Sequence, residues 1–128
     1  MLTKCRILYI EDNSDNRKLV RRVLEWDGYE VVEAKDGTEA LARLETEPID
    51  LALLDINMPD IDGYTLTTAI RSNPRFSRLP IVAVTANVMR GDRERSLQAG
   101  CDGYIQKPID IDTLSQQIER FLMSRPNG

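Results

Sequence analysis

Leu51-Ala52-Leu53-Leu54-Asp55, with Ile56-Asn57-Met58-Pro59-Asp60-Ile61-Asp62-Gly63 behind it, decides how this chain folds. Four apolar residues in a row, with no polar alternation, read as a strand buried on both faces, the pattern of a parallel sheet. The run stops on a carboxylate, where such a strand leaves the core. Ligands of an open α/β sheet bind at the carboxyl ends of its strands. Asp55 therefore stands where chemistry is done.

Working outward, the same pattern returns. Arg6-Ile7-Leu8-Tyr9-Ile10 is an apolar strand that ends on Glu11-Asp12, and residues 79–85 stay apolar from Ile81 until Thr85. Residues 29–34 alternate more, as suits an edge strand, and Gly103-Tyr104-Ile105-Gln106 is a short strand followed by Lys107-Pro108. Helices fill the intervals. Asn13-Ser14-Asp15-Asn16 supplies N-cap chemistry for a helix with Leu19, Val20, Val23, Leu24 and Trp26 on one broad face, closed by Asp27-Gly28. A second helix runs through Ala40, Leu41 and Leu44 and stops before Pro48. A third, over 64–72, turns Leu66 and Ile70 inward and breaks at Asn73-Pro74. A charged helix over 86–99 closes on Gly100, and Asp110 caps a last helix carrying Leu114, Ile118, Phe121 and Leu122. Five strands alternating with five helices predict an α/β fold, a doubly wound parallel sheet with helices on both faces.

The chain has 128 residues, enough for one domain with a full core and no need of disulfides or structural metal. Residues 1–124 read as that domain and 125–128 as a tail or the stub of a linker. A net charge of -4, with no basic run, argues against nucleic acid or an anionic membrane as the main partner. No apolar run approaches the ~20 residues of a membrane span, and no signal-peptide core opens the chain, so a cytoplasmic home is expected. Two cysteines, Cys5 and Cys101, fit a reducing compartment as small buried hydrophobes. There is no histidine, which removes an imidazole base, a histidine-ligated metal and an internal phosphohistidine.

What remains is a set of polar strand ends: Glu11 and Asp12 on the first strand, Asp55 on the third, Thr85 on the fourth and Lys107 after the fifth. In a doubly wound sheet these converge at one rim. Two unit charges roughly 4 Å apart repel by about 4 kcal/mol at an effective dielectric of about 20. A hard divalent cation removes that cost, and Mg²⁺ commonly takes one or two carboxylates, several waters and phosphate oxygens. An aspartate can act as a covalent nucleophile towards a phosphoryl group. Thr85 could then donate to a phosphoryl oxygen and Lys107 pair with its charge.

This set, with Asn57-Met58-Pro59, Asp62-Gly63, Thr85-Ala86, Lys107-Pro108 and Tyr104, resembles the receiver domain of two-component response regulators. The resemblance spans Cys5 to Leu122. The stretches from Thr85 to Arg93 and from Ala99 to Tyr104 are most similar to receivers of hybrid kinases, phosphorelays and stand-alone regulators. It implies a flavodoxin-like sheet of order 2-1-3-4-5, with the switch point beside Asp12 and Asp55. It also implies roles. Asp55 accepts a phosphoryl group from the phosphohistidine of a histidine kinase or histidine phosphotransferase. Asp12, Asp55 and the Asn57 carbonyl hold Mg²⁺ (or Mn²⁺), Glu11 helps through water, Thr85 and Lys107 contact the phosphoryl group, and Tyr104 switches rotamer with Thr85. The Lys107-Pro108 peptide would be cis. In that strand order Cys5 and Cys101 lie three strand positions apart, roughly 14 Å at ~4.8 Å per strand, too far for a disulfide.

The implied product is a signalling domain that takes up and sheds its own phosphoryl group, not a turnover enzyme. Its output face would comprise the fourth helix, the strand of Tyr104 and the fifth helix, with Arg90, Arg93 and Arg95 beside the aromatic ring. That face would dock a downstream protein or a second phosphorylated copy. A flavodoxin-type cofactor binder is disfavoured because Glu11-Asp12-Asn13-Ser14-Asp15 would repel a phosphate. A dehalogenase-type phosphatase wants a second aspartate where Asn57 stands. A receiver-fold interaction module working without phosphorylation, and a receiver cut from a larger regulator, complete the alternatives.

Overall fold

The computed structural model of the chain describes residues 5–59, 61–85 and 98–124. Five strands, β1 (Arg6–Ile10), β2 (Glu30–Ala34), β3 (Leu51–Asp55), β4 (Ile81–Thr85) and β5 (Gly103–Gln106), form one sheet of order β2-β1-β3-β4-β5. Every neighbouring pair is parallel. The described helices are α1 (Ser14–Trp26), α2 (Gly37–Thr46), α3 (Gly63–Arg71) and α4 (Leu114–Ser124), with a 3₁₀ turn at Pro74–Phe76. Five helices were expected. Most of the one over 86–99 lies outside the described residues, as do Arg90, Arg93, Arg95 and the tail 125–128; only Gln98 and Ala99 are described, and both are helical.

The central strands have no polar face, and the reason is visible in what covers them. Leu8, Ile10, Ala52, Leu54, Ile81 and Ala83 pack with Ala40 and Leu44 of α2 and with Tyr64, Leu66 and Ile70 of α3. The alternate residues, Ile7, Tyr9, Leu51, Leu53, Val82 and Val84, pack with Val20 and Leu24 of α1 and with Leu114 and Ile118 of α4. Two apolar layers thus sandwich β1, β3 and β4, as continuous apolar runs require.

The predicted caps form. Asn13, Asp36 and Asp62 accept from the backbone N–H of Asn16 (2.9 Å), Glu39 (2.8 Å) and Tyr64 (3.3 Å). Gly28 closes α1 at φ 97, a backbone region that residues with a Cβ avoid. Gly63 opens α3 against the chain that has just left β3, where a Cβ would lie 2.6 Å from the Ile56 Cα. Beyond α3, Arg71 ties together three segments. Its guanidinium donates to the carbonyls of Gly100 (2.9 Å), Phe76 (2.8 Å) and Leu79 (2.6 Å) and pairs with Asp102 at 2.8 Å.

Two expectations need correction. Trp26 is not on the inward face of α1: it is 89% exposed, while Val20 and Leu24 are buried. Positions two apart on a helix point in different directions, so Leu24 and Trp26 cannot share a face. The last helix does not start straight after Asp110. The Asp110 carboxylate accepts from Asp112 N at 3.0 Å and its carbonyl from Thr113 N at 3.2 Å, which builds a turn first. Helical bonding begins only with Gln117 N to Thr113 O at 3.0 Å. Cys5 and Cys101 are both free thiols, as expected. Among the described residues no helix is long and apolar enough to cross a membrane.

Candidate functional site

Register brings the acidic residues together. Ile10 of β1 lies beside Leu54 of β3, so Glu11 and Asp55, each the next residue in its chain, emerge side by side about 4.8 Å apart. Asp12 follows at the exposed lip. One carboxylate oxygen from each of Glu11, Asp12 and Asp55 lies within 4.8 Å of the other two. Glu11 and Asp55 are each 1% exposed, so two of the three carboxylates are withdrawn from water.

Each is held by specific donors. Asp55 Oδ1 accepts from the Asn57 N–H at 3.0 Å and lies 3.0 Å from Lys107 Nζ. Glu11 Oε1 accepts from the Tyr9 hydroxyl at 3.3 Å and the Asn16 amide at 3.4 Å, and lies 3.6 Å from the same ammonium. Its other oxygen accepts from Asn13 N at 3.3 Å. Lys107 reaches them because its N–H continues the ladder beyond β5, donating to Thr85 O at 2.8 Å. Its peptide bond to Pro108 is cis, as the sequence resemblance implied. Thr85 ends β4 buried beside them. Asn57, exposed, forms a single antiparallel bridge with Asp62.

Tyr104 is not part of this cluster. It pairs with Ala83, two residues before Thr85 on the neighbouring strand, and is 37% exposed.

The electrostatics follow from burial. Desolvation, reinforced by Asp55 and Asp12 and opposed by Lys107, pushes Glu11 up to about 7. Desolvation, with the Glu11 and Asp55 carboxylates beside it, carries the Tyr9 phenol far above its ordinary range, so it remains a donor. One ammonium against three carboxylates leaves an excess of negative charge at a poorly hydrated rim. A donor set made only of carboxylate oxygens suits a hard divalent cation.

Sequence reasoning missed three neighbours. Arg17 Nη1 donates to the carbonyls of Glu11 (2.7 Å) and Asp12 (3.1 Å). Asn16 and Tyr9 both donate to Glu11, as above. All three read as ordinary helix-surface or core residues; only their short distance from the acid pair hinted at more. Beside Glu11 and Lys107 opens a cleft of ≈ 380 Å³, walled by Leu19, Val20, Pro108, Ile109 and Ile111.

The comparisons with known proteins agree with this geometry. The family described as the response regulator receiver domain matches residues 7–119. The chain belongs to the response regulator receiver family. Among its relatives is the polar-differentiation response regulator DivK of Brucella anthropi, 37% identical over 116 residues, covering 91% of this chain and 94% of DivK. Solved receivers superpose closely. The receiver domain of the sensor histidine kinase PA1611 from Pseudomonas aeruginosa is 37% identical with a TM-score of 0.86, covering 95% of this chain and 100% of that one. That structure carries a magnesium ion in its active-site cleft. Chemotaxis regulator CheY4 of Vibrio cholerae is 29% identical with a TM-score of 0.88, over 93% and 99% of the two chains. Receivers are domains of two-component signal transduction, and the described residues of this chain have their five-stranded fold.

Proposed function

We propose that the receiver is a phosphoacceptor of a cytoplasmic two-component system or phosphorelay, in which Asp55 takes a phosphoryl group from the phosphohistidine of a histidine kinase or phosphotransferase. The observation that carries this reading is a buried Asp55 carboxylate 3.0 Å from Lys107 Nζ and adjoining two further carboxylates. An Asp55 oxygen attacks phosphorus, the P–N bond breaks, and an acyl phosphate forms while the histidine keeps the electron pair. Lys107 offsets charge on the transferred group, and Thr85 donates to one of its oxygens. Glu11, Asp12, Asp55 and the Asn57 carbonyl would hold Mg²⁺, whose chemistry is to neutralise phosphoryl and carboxylate charge together. The three clustered carboxylates support that assignment.

The cleft beside Glu11 and Lys107, with Leu19 (49%) and Ile111 (42%) exposed at its lip, supports entry of the phosphodonor on that side. Output is assigned to the β4–β5 edge of the sheet. Thr85 moves to the phosphoryl group, Tyr104 turns in behind it, and the face of the 86–99 helix, β5 and α4 changes shape for a downstream protein or a second copy. The chain loads and unloads itself and turns over no substrate. Incubation with acetyl phosphate and Mg²⁺ is expected to add one phosphoryl mass to the parent and none to Asp55→Asn. Equal labelling of the variant would refute the assignment.

A further inference from the structure

Arg17 stands in the second turn of α1, where a solvated arginine is expected, yet it is drawn back over the end of β1. Its Nη1 bonds the carbonyls of both Glu11 and Asp12, at 2.7 and 3.1 Å. Its Nε donates to Glu33 Oε1 at 3.1 Å, and Glu33 Oε2 is taken by Arg21 at 2.8 Å. Only 16% of the Arg17 side chain is exposed.

A carbonyl marks the plane of its peptide unit, and a peptide unit is rigid. Holding the Glu11 and Asp12 carbonyls therefore fixes the planes on both sides of the Asp12 Cα. With both planes fixed, the direction of the Asp12 Cβ is fixed too. Glu33 keeps the guanidinium from swinging away, so the restraint is anchored in β2 as well as α1. The planar fork spans these three acceptors from two fixed nitrogens, Nε and Nη1, a reach and rigidity that a point ammonium on a flexible stem lacks.

We propose that Arg17 is a positioning residue for the rim carboxylates, holding the Glu11-Asp12 backbone so that their side chains meet a divalent cation already oriented. This rests on the reading of Glu11, Asp12 and Asp55 as a Mg²⁺ site. It makes a prediction opposite in sign to simple electrostatics. Removing a positive charge close to the site should by itself favour a cation, whereas removing a positioning group should weaken binding.

The test is Mg²⁺ titration by calorimetry on the folded parent, Arg17→Met, Arg17→Lys and Glu33→Gln, with unfolding midpoints measured separately. Affinity is expected to fall roughly tenfold in Arg17→Met, to stay low in Arg17→Lys although the charge is restored, and to fall less in Glu33→Gln. The backbone amide shifts of Asp12 and Asn13 should move in all three. Unchanged or tighter binding in Arg17→Met, or full rescue by lysine, overturns the positioning role while leaving the cation site standing. Should Arg17→Met fail to fold, unchanged affinity in both Arg17→Lys and Glu33→Gln overturns it equally. A parent chain that binds no Mg²⁺ removes the cation site and this role with it.

Discussion

Gly63→Ala sets a small gain against a larger cost. Gly63 is the first residue of α3, and alanine in a helix is favoured over glycine by about 1 kcal/mol. Against that, the new Cβ would lie 2.6 Å from the Ile56 Cα, 2.7 Å from its Cδ1 and 3.1 Å from the Asp55 carbonyl. The Ile56 methyl can rotate aside, but the Cα cannot move without shifting the turn that follows β3. Overpacking of this kind costs about 3 kcal/mol, leaving a net loss of roughly 2 kcal/mol. At about 2.1 cal/mol/K per residue, the unfolding entropy of 128 residues is roughly 0.27 kcal/mol/K, so the midpoint should fall by about 7 °C. Thermal unfolding followed by far-ultraviolet circular dichroism measures it. Gly28→Ala is the control: it has φ 97 but nothing within 4 Å of a Cβ, so only backbone strain of about 1 kcal/mol applies. A Gly63→Ala midpoint at or above the parent's, or a smaller loss than Gly28→Ala, would show that the turn yields freely and refute the reasoning.

Two further outcomes are expected. Leu19→Asp with Ile111→Asp should slow transfer from a phosphohistidine-bearing partner at least tenfold while leaving acetyl phosphate labelling of Asp55 unchanged; equal slowing of both donors would remove the cleft from docking. Burial pushes the Cys101 thiol above its ordinary value and leaves it 5% exposed, whereas Cys5 is half-buried. Iodoacetamide at neutral pH should therefore modify Cys5 first, and mass spectra showing Cys101 alkylated as quickly would contradict the burial of Cys101.

The sheet was legible because burial on two faces leaves an unambiguous trace: no polar residue interrupts 51–54 or 81–84, and each run ends on a group that chemistry can use. Glu11, Asp12, Asp55 and Lys107 were legible for the same reason, since strand ends of a parallel sheet meet at one rim. Arg17 was not. Its sequence position says helix surface, and only the backbone path of Glu11-Asp12 reveals that it reaches back. Trp26 was misread because apolar character was taken for inward direction, although a two-residue step from Leu24 turns it to water. Asp110 offered the right cap chemistry for a helix, and the turn that intervenes depends on Asp112 and Thr113 bonding back to it.

Lys107, the ammonium at the rim, hangs from an edge of the sheet. β5 has 4 residues and pairs with one strand only, β4. A two-sided strand opens with the whole domain, but an edge strand can open at lower free energy. Each opening of β5 carries Lys107 away from Asp55 and Glu11 and leaves their charge uncompensated. Thermodynamic linkage then works in both directions. A positive ion at the rim lessens the need for the ammonium and loosens the β5 edge, while a negative group there pulls Lys107 in and tightens it. The order of the edge strand thus becomes a gauge of the charge held at the far end of its neighbours.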